Sequence, residues 1–157
     1  MNGTVRALAV FDDGNDPALY AGGDFTHADT RRVDHIAKWD GKHWSRVGGG
    51  LNGSIEGSSM LVYDDGSGPA LYVGGKFTAT GRGRVPANGI ARWDGQKWSS
   101  LGEGVRGEEA KVETMAAFND GSGEALFVGG LFEEAGGFER KISPSGTVLD
   151  GIRSGKG

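Results

Sequence analysis

At 157 residues, with 36% hydrophobic and 24% charged side chains, the chain has the size and composition of one ordinary globular domain. A net charge of -4 argues against a nucleic-acid or anionic-membrane surface, and the absence of cysteine excludes disulfides, thiol nucleophiles and thiolate metal sites. Its 31 glycines lack the period of collagen, and their interleaving with 7 Phe, 4 Trp and 3 Tyr argues against disorder and for a turn-rich β protein.

The first predicted strand is Val5 to Asp12, whose apolar run Ala7 to Phe11 lacks alternation and is expected to be covered on both faces. Asp13-Gly14 then turns the chain, because glycine tolerates the positive φ of a hairpin turn. Ala18 to Gly22 is the second strand, Ile36 to Trp39 the third and Trp44 to Val47 the fourth, with a tight turn at Asp40-Gly41. The same pattern predicts strands at Ser59 to Tyr63, Ala70 to Gly74, Ile90 to Trp93 and Trp98 to Leu101. A third set begins with Glu113 to Phe118 and Ala125 to Gly129.

These sets are internal repeats. FDDGNDPALYAGGDF (11 to 25), YDDGSGPALYVGGKF (63 to 77) and FNDGSGEALFVGGLF (118 to 132) share seven of fifteen columns, at offsets of 52 and 55 residues. A second block, HIAKWDGKHWSRVG (35 to 48), returns as GIARWDGQKWSSLG (89 to 102). Its third copy is replaced by RKISPSGTVLDGIRSGKG, without tryptophan. Three units are therefore expected, at residues 1–50, 51–104 and 105–157, the last degenerate after 132.

An apolar strand ending in Gly-Gly, then an aromatic-Asp pair and a further tryptophan, at a period near 50 residues, resembles Kelch-type repeats of bacterial surface or secreted proteins. The residues concerned are Gly22-Gly23, Trp39-Asp40 and Trp44, then Gly74-Gly75, Trp93-Asp94 and Trp98, then Gly129-Gly130 alone. Trp stands where Kelch repeats usually carry Tyr, and the gap to the next Trp is shorter. The resemblance implies an all-β fold, a β-propeller-type repeat of four-stranded meander blades with about three units, the last incomplete. It also favours a secreted or cell-surface location, although the chain shows no signal-peptide pattern. Open strand edges would then be closed by missing blades or by a homodimer of six blades. The four tryptophans are expected to fill the space between blades rather than to stack on ligand.

Catalytic chemistry finds little support. The acidic loops Asp12 to Asp16, Asp64 to Ser67 and Asn119 to Ser122 lack the alternating acids and distal Glu of a calcium loop, and Asp-Gly is explained by turn formation. His27, His35 and His43 cluster in the first unit, but His35 aligns with Gly89 and His43 with Lys97, so a zinc site is disfavoured. No carboxylate pair outside the turns suggests a glycosidase, and the glycines form no phosphate loop. Neither a metal nor another cofactor is expected.

The variable segments after Gly-Gly, Thr26 to Asp34, Thr78 to Asn88 and Glu133 to Arg140, are the candidate recognition loops. Basic residues lie in or beside each: Arg31 and Arg32, Arg82 and Arg84, Arg140 and Lys141. The expectation is a non-catalytic binding or structural module whose partner is a protein or surface glycan, with no nucleic acid and no membrane insertion. The alternatives are a carbohydrate-binding lectin and a fragment of a propeller enzyme whose catalytic residues lie in absent blades.

Overall fold

A computed structural model describes residues 1–119, 121 and 124–136, together with the backbone of strands Glu139–Ile142 and Val148–Arg153. The described chain is all β. The first unit holds β1 (Val5–Asp12), β2 (Pro17–Gly23), β3 (His27–Ala28), β4 (Arg31–Arg32), β5 (Ile36–Trp39) and β6 (Trp44–Arg46). The second holds β7 (Ser54–Asp64), β8 (Pro69–Lys76), β9 (Ala79–Thr80), β10 (Val85–Pro86), β11 (Ile90–Trp93) and β12 (Trp98–Ser100). The remainder comprises β13 (Gly104–Arg106), β14 (Lys111–Asn119), β15 (Glu124–Leu131), β16 (Glu134–Gly136), β17 (Glu139–Ile142) and β18 (Val148–Arg153).

The first two units are antiparallel meanders of order β1-β2-β5-β6 and β7-β8-β11-β12, with the short pairs β3-β4 and β9-β10 looped out between their second and third long strands. The sequence dictates this locally. Asp12 and Asp64 each accept their turn's glycine N–H, Gly14 and Gly66, at 2.9 and 2.8 Å, and Asn119 does the same for Gly121 at 2.9 Å. Asp40 accepts the N–H groups of Lys42 and His43, and Asp94 those of Gln96 and Lys97, which closes the outer hairpins. In the third unit β15 pairs with β18, and β17 lies beyond it at the edge. Past Phe132 the backbone thus adds two further strands to this sheet, but in exchanged order, while β16 pairs with β13. No Asp-Gly hairpin between paired tryptophans fixes the order there.

The units stack face upon face. One core joins Phe11 and Tyr20 of the first unit to Met60, Leu71, Trp93 and Trp98 of the second. A second core joins Tyr63 and Tyr72 of the second unit to Met115, Leu126 and Val128 of the third. The first long strands run side by side, β7 and β14 bridging in parallel at Ser58 and Thr114. In both junctions an aromatic face of one unit meets an aliphatic face of the next, and in the first junction Trp93 and Trp98 join that aliphatic face.

Two glycine sites show why the Gly-rich composition is required. A side chain on Gly22 would strike Ile55, and one on Gly74 would strike Val112, so the first glycine of each pair is the notch into which the next unit inserts. Gly48, at φ +52°, lies under the rings of Trp93 and Trp98, where an added Cβ would come within 2.3 Å of Trp93. Trp98 Nε1 donates to the Val47 carbonyl at 3.3 Å across the same junction.

β1 corrects one expectation. Ala7 and Phe11 are buried, but Leu8 and Val10 on its other face are exposed, so the strand is covered on one side only. Val62, the counterpart of Val10 in β7, is also exposed, so the unbroken apolar run does not by itself mark a strand covered on both faces. The tryptophans divide likewise: Trp93 and Trp98 are buried, whereas Trp39 and Trp44 are half-buried.

Candidate functional site

A polar clamp ties each of the first two hairpins. The Tyr20 hydroxyl donates to Asp13 at 3.0 Å, with Lys38 paired to the same oxygen, and Tyr72 donates to Asp65 at 2.9 Å, with Arg92 at 3.6 Å. Burial, reinforced by the neighbouring carboxylate, pushes both tyrosine hydroxyls far above their ordinary pKa. Burial also pulls both carboxyls upward, but their hydrogen bonds outweigh it and leave Asp13 and Asp65 below the ordinary carboxylate range. These groups are occupied in holding the hairpin. No clear reaction chemistry falls to them.

The histidines are likewise engaged locally. His35 Nδ1 donates to the Gly23 carbonyl at 3.1 Å, and His27 Nδ1 lies 3.0 Å from the Thr26 hydroxyl. Among the described residues no three His, Asp or Glu side chains gather as metal ligands.

What recurs beside the post-Gly-Gly loops is a cleft. The first, about 430 Å³, lies between units one and two and is lined by Thr26, Asp34, His35, Leu51 and Asn52, among others. The second, about 490 Å³, lies between units two and three and is lined by the aligned residues Thr78, Asn88, Gly89, Val105 and Arg106. The backbone beneath the two is the same. Leu51 N–H donates to Asp34 C=O at 2.9 Å, and Val105 N–H to Asn88 C=O at 2.8 Å. His35 and Gly89 share a φ of +71° and donate their N–H groups to Phe25 and Phe77, each at 2.8 Å. Asn2 and Asn52 cap the loops in the same way, each accepting from two successive N–H groups, Thr26 and His27 in one unit, Thr78 and Ala79 in the next.

The linings differ in charge. Arg32, Arg46 and Arg82 all line the first cleft against one carboxylate, Asp34. Asp34 already pairs with both Arg32, at 2.7 Å, and Arg46. Partial burial raises the Asp34 carboxyl, but the two guanidinium groups more than offset this and hold it below the ordinary range. Among the described residues Arg46 Nε is buried without a partner, and the cleft lining holds more cationic than anionic groups. In the second cleft Lys76 pairs with Glu109 and Arg106 with Glu103, so its cations are balanced.

Of the basic residues singled out in the sequence, the fold brings Arg32 and Arg82 to one cleft. Arg31 and Arg84 are exposed and line neither. Arg140 and Lys141 lie on β17, and their side chains fall outside the described residues. Arg46 was not singled out in the sequence, and Asp34 was named there only as the end of a variable loop; both line the first cleft. The available signal was Arg46 itself, an arginine in a column where the second unit has Ser100.

Two curated relatives are similar to the chain. Over 111 residues, 69% of the chain, it is 33% identical to polarized growth protein rax2 of Schizosaccharomyces pombe. Over 104 residues, 65% of the chain, it is 35% identical to polarized growth protein L1 of a Phoma species. The matches span only 9% and 7% of those proteins' lengths. No family model and no solved structure matches the chain.

Proposed function

We propose that the chain is a non-catalytic binding module of Kelch-like β-propeller repeats, one part of a polarized-growth type of protein, which holds its partner in the clefts beside the post-Gly-Gly loops. The observation that carries this is a cleft whose backbone frame repeats between successive units while its lining changes. A constant frame serves the fold; a varying lining is what recognition requires. The first cleft, with Arg32, Arg46 and Arg82 around Asp34, suits an anionic group on a protein or surface glycan, since guanidinium forks match carboxylate and sulfate geometry.

Arrays of sulfated and uronate-bearing glycans and of acidic peptides test this. Retention of anionic probes over neutral ones is expected, with affinity at least tenfold lower in Arg82→Glu and unchanged in Arg84→Glu, whose side chain lies outside the cleft. Equal losses in both variants would reduce the effect to general surface charge, and retention of no anionic probe would sink the assignment.

A further inference from the structure

Among the described residues four that are not glycine adopt a left-handed backbone: Asp29, Asp34, His35 and Arg82. Three of them, Asp34, His35 and Arg82, line the first cleft, whereas the left-handed residues lining the second, Gly89 and Gly107, are both glycine. Backbone conformations that a side chain makes costly persist where the surroundings over-determine them, and they gather at sites that bind. His35 is the clearest case. It and Gly89 hold the same φ of +71° and the same backbone bonds, each carbonyl accepting from the second glycine of the pair, Gly23 at 3.1 Å and Gly75 at 3.0 Å. The fold therefore asks only for glycine at this position. A side chain at Gly89 would come within 2.4 Å of the branched Val105, while Leu51, the counterpart of Val105, has no branch at its β-carbon. The first unit accommodates a histidine there, and the second does not.

The carbonyl of Gly23 can only accept, so the proton of the neutral imidazole sits on Nδ1. Nε2, which has no partner among the described residues, is then an acceptor. It lines a cleft otherwise rich in donors: among the described residues Arg82 has no partner, and Arg46 Nε is buried without one. Leu51 is the only hydrocarbon side chain in the lining, and the Leu51 and Asn52 N–H groups are committed to the Asp34 and Ala79 carbonyls. An acidic peptide thus meets no apolar pocket for an anchoring side chain. A small, rigid ligand with an anion and a hydroxyl meets a complementary wall.

We infer that the first cleft selects an acidic sugar, a ring bearing a carboxylate or sulfate beside a hydroxyl, and that His35 makes the selection. Arg82 and Arg46 hold the anionic group, and His35 Nε2 accepts from the neighbouring hydroxyl. A ligand of the same charge that lacks this donor leaves the acceptor unsatisfied, which is how one imidazole tells an acidic sugar from another anion. Both walls of the cleft come from the first two units, so the site needs neither end of the chain. The inference rests on the proposed anionic cleft and adds to it the class of ligand.

Titration calorimetry of the full chain at pH 8 with three probes of equal charge tests this. The probes are trigalacturonate, its hydroxyl-methylated form, which keeps the carboxylates and loses the donors, and a triglutamate peptide blocked at both ends. Trigalacturonate is expected to bind at least tenfold tighter than the other two. In His35→Gly, which gives the first unit the residue that the second uses at the same φ, that preference disappears while triglutamate binding is unchanged. His35→Asn behaves alike: asparagine tolerates this φ and can still donate to Gly23, but ends short of Nε2. Thermal melts report that the variants fold, and the asparagine variant serves if the glycine one does not. A preference that survives in a folded variant overturns the inference, as does a parent chain that binds the three probes alike. In either case loss of binding in Arg82→Glu leaves the anionic cleft standing. If no probe binds, the cleft and the selection fall together.

Discussion

The tryptophan pairs of the first and second units have the same local geometry and different surroundings. Trp39 and Trp44 sit 5.3 Å apart at 45°, and Trp93 and Trp98 5.1 Å apart at 49°. Yet only the second pair is buried, against Gly48 and the Val47 carbonyl of the neighbouring unit. The Trp-Asp-Gly block thus encodes a hairpin by itself. What the hairpin contributes to stability depends on the unit beside it.

Replacing each ring in turn breaks or sharpens this contrast. Trp93→Ala should cost about 3–5 kcal/mol, as for other large buried aromatics, because it empties the junction. Trp39→Ala should cost no more than about 2 kcal/mol, since its ring is only partly buried and no neighbouring unit packs on it among the described residues. Urea unfolding of the two variants decides the matter, and equal midpoints would show that the pair acts only within its own hairpin.

The seat of the buried rings gives the next largest effect. Gly48→Ala should destabilise by about 3 kcal/mol, combining an unfavourable positive φ with a collision under Trp93. Gly14→Ala has the positive φ and open space around it, and about 1 kcal/mol is expected. Similar losses at the two positions would mean that backbone conformation, and not the junction, demands glycine at 48.

Acid should produce the smallest and most gradual loss. The carboxyls of Asp13, Asp34 and Asp65 are held below their unfolded values, so the unfolded chain binds more protons in acid. Their contribution is complete above the unfolded pKa, near 4, and is lost as the pH falls through the lower folded values. Thermal melts should be flat from neutrality to about pH 5 and decline below it. Asp13→Asn, measured beside Asp65→Asn, should flatten that decline, and a melt insensitive to either variant would remove the clamps from the account.

The hairpins were legible in the sequence because they are local. Asp-Gly turns, Gly-Gly strand ends and the recurring Trp-Asp-Gly blocks each specify a few neighbouring residues, and the long strands lie within two residues of where those signals place them, except that β7 begins at Ser54, five residues before the expected Ser59. The coverage of β1 was not legible, because an unbroken apolar run does not tell which of its side chains meet a neighbouring face: Val10 is exposed, and so is its counterpart Val62 in the second unit. Arg46 was not legible as a cleft residue for a related reason. It lies twelve residues from Asp34 in sequence, and β6 must fold back through β5 before the two can pair. The third unit lacks a tryptophan hairpin, so nothing in its sequence announced that β18 would precede β17 in the sheet.

The notch at Gly22 and its repetition at Gly74 bear on how such a chain could change length over evolutionary time. A unit spliced between two existing ones breaks one junction and makes two, each with a ready-made knob and socket, so duplication adds stability instead of demanding a new interface. Tandem duplication followed by divergence of the loops is then the least disruptive path open to the gene.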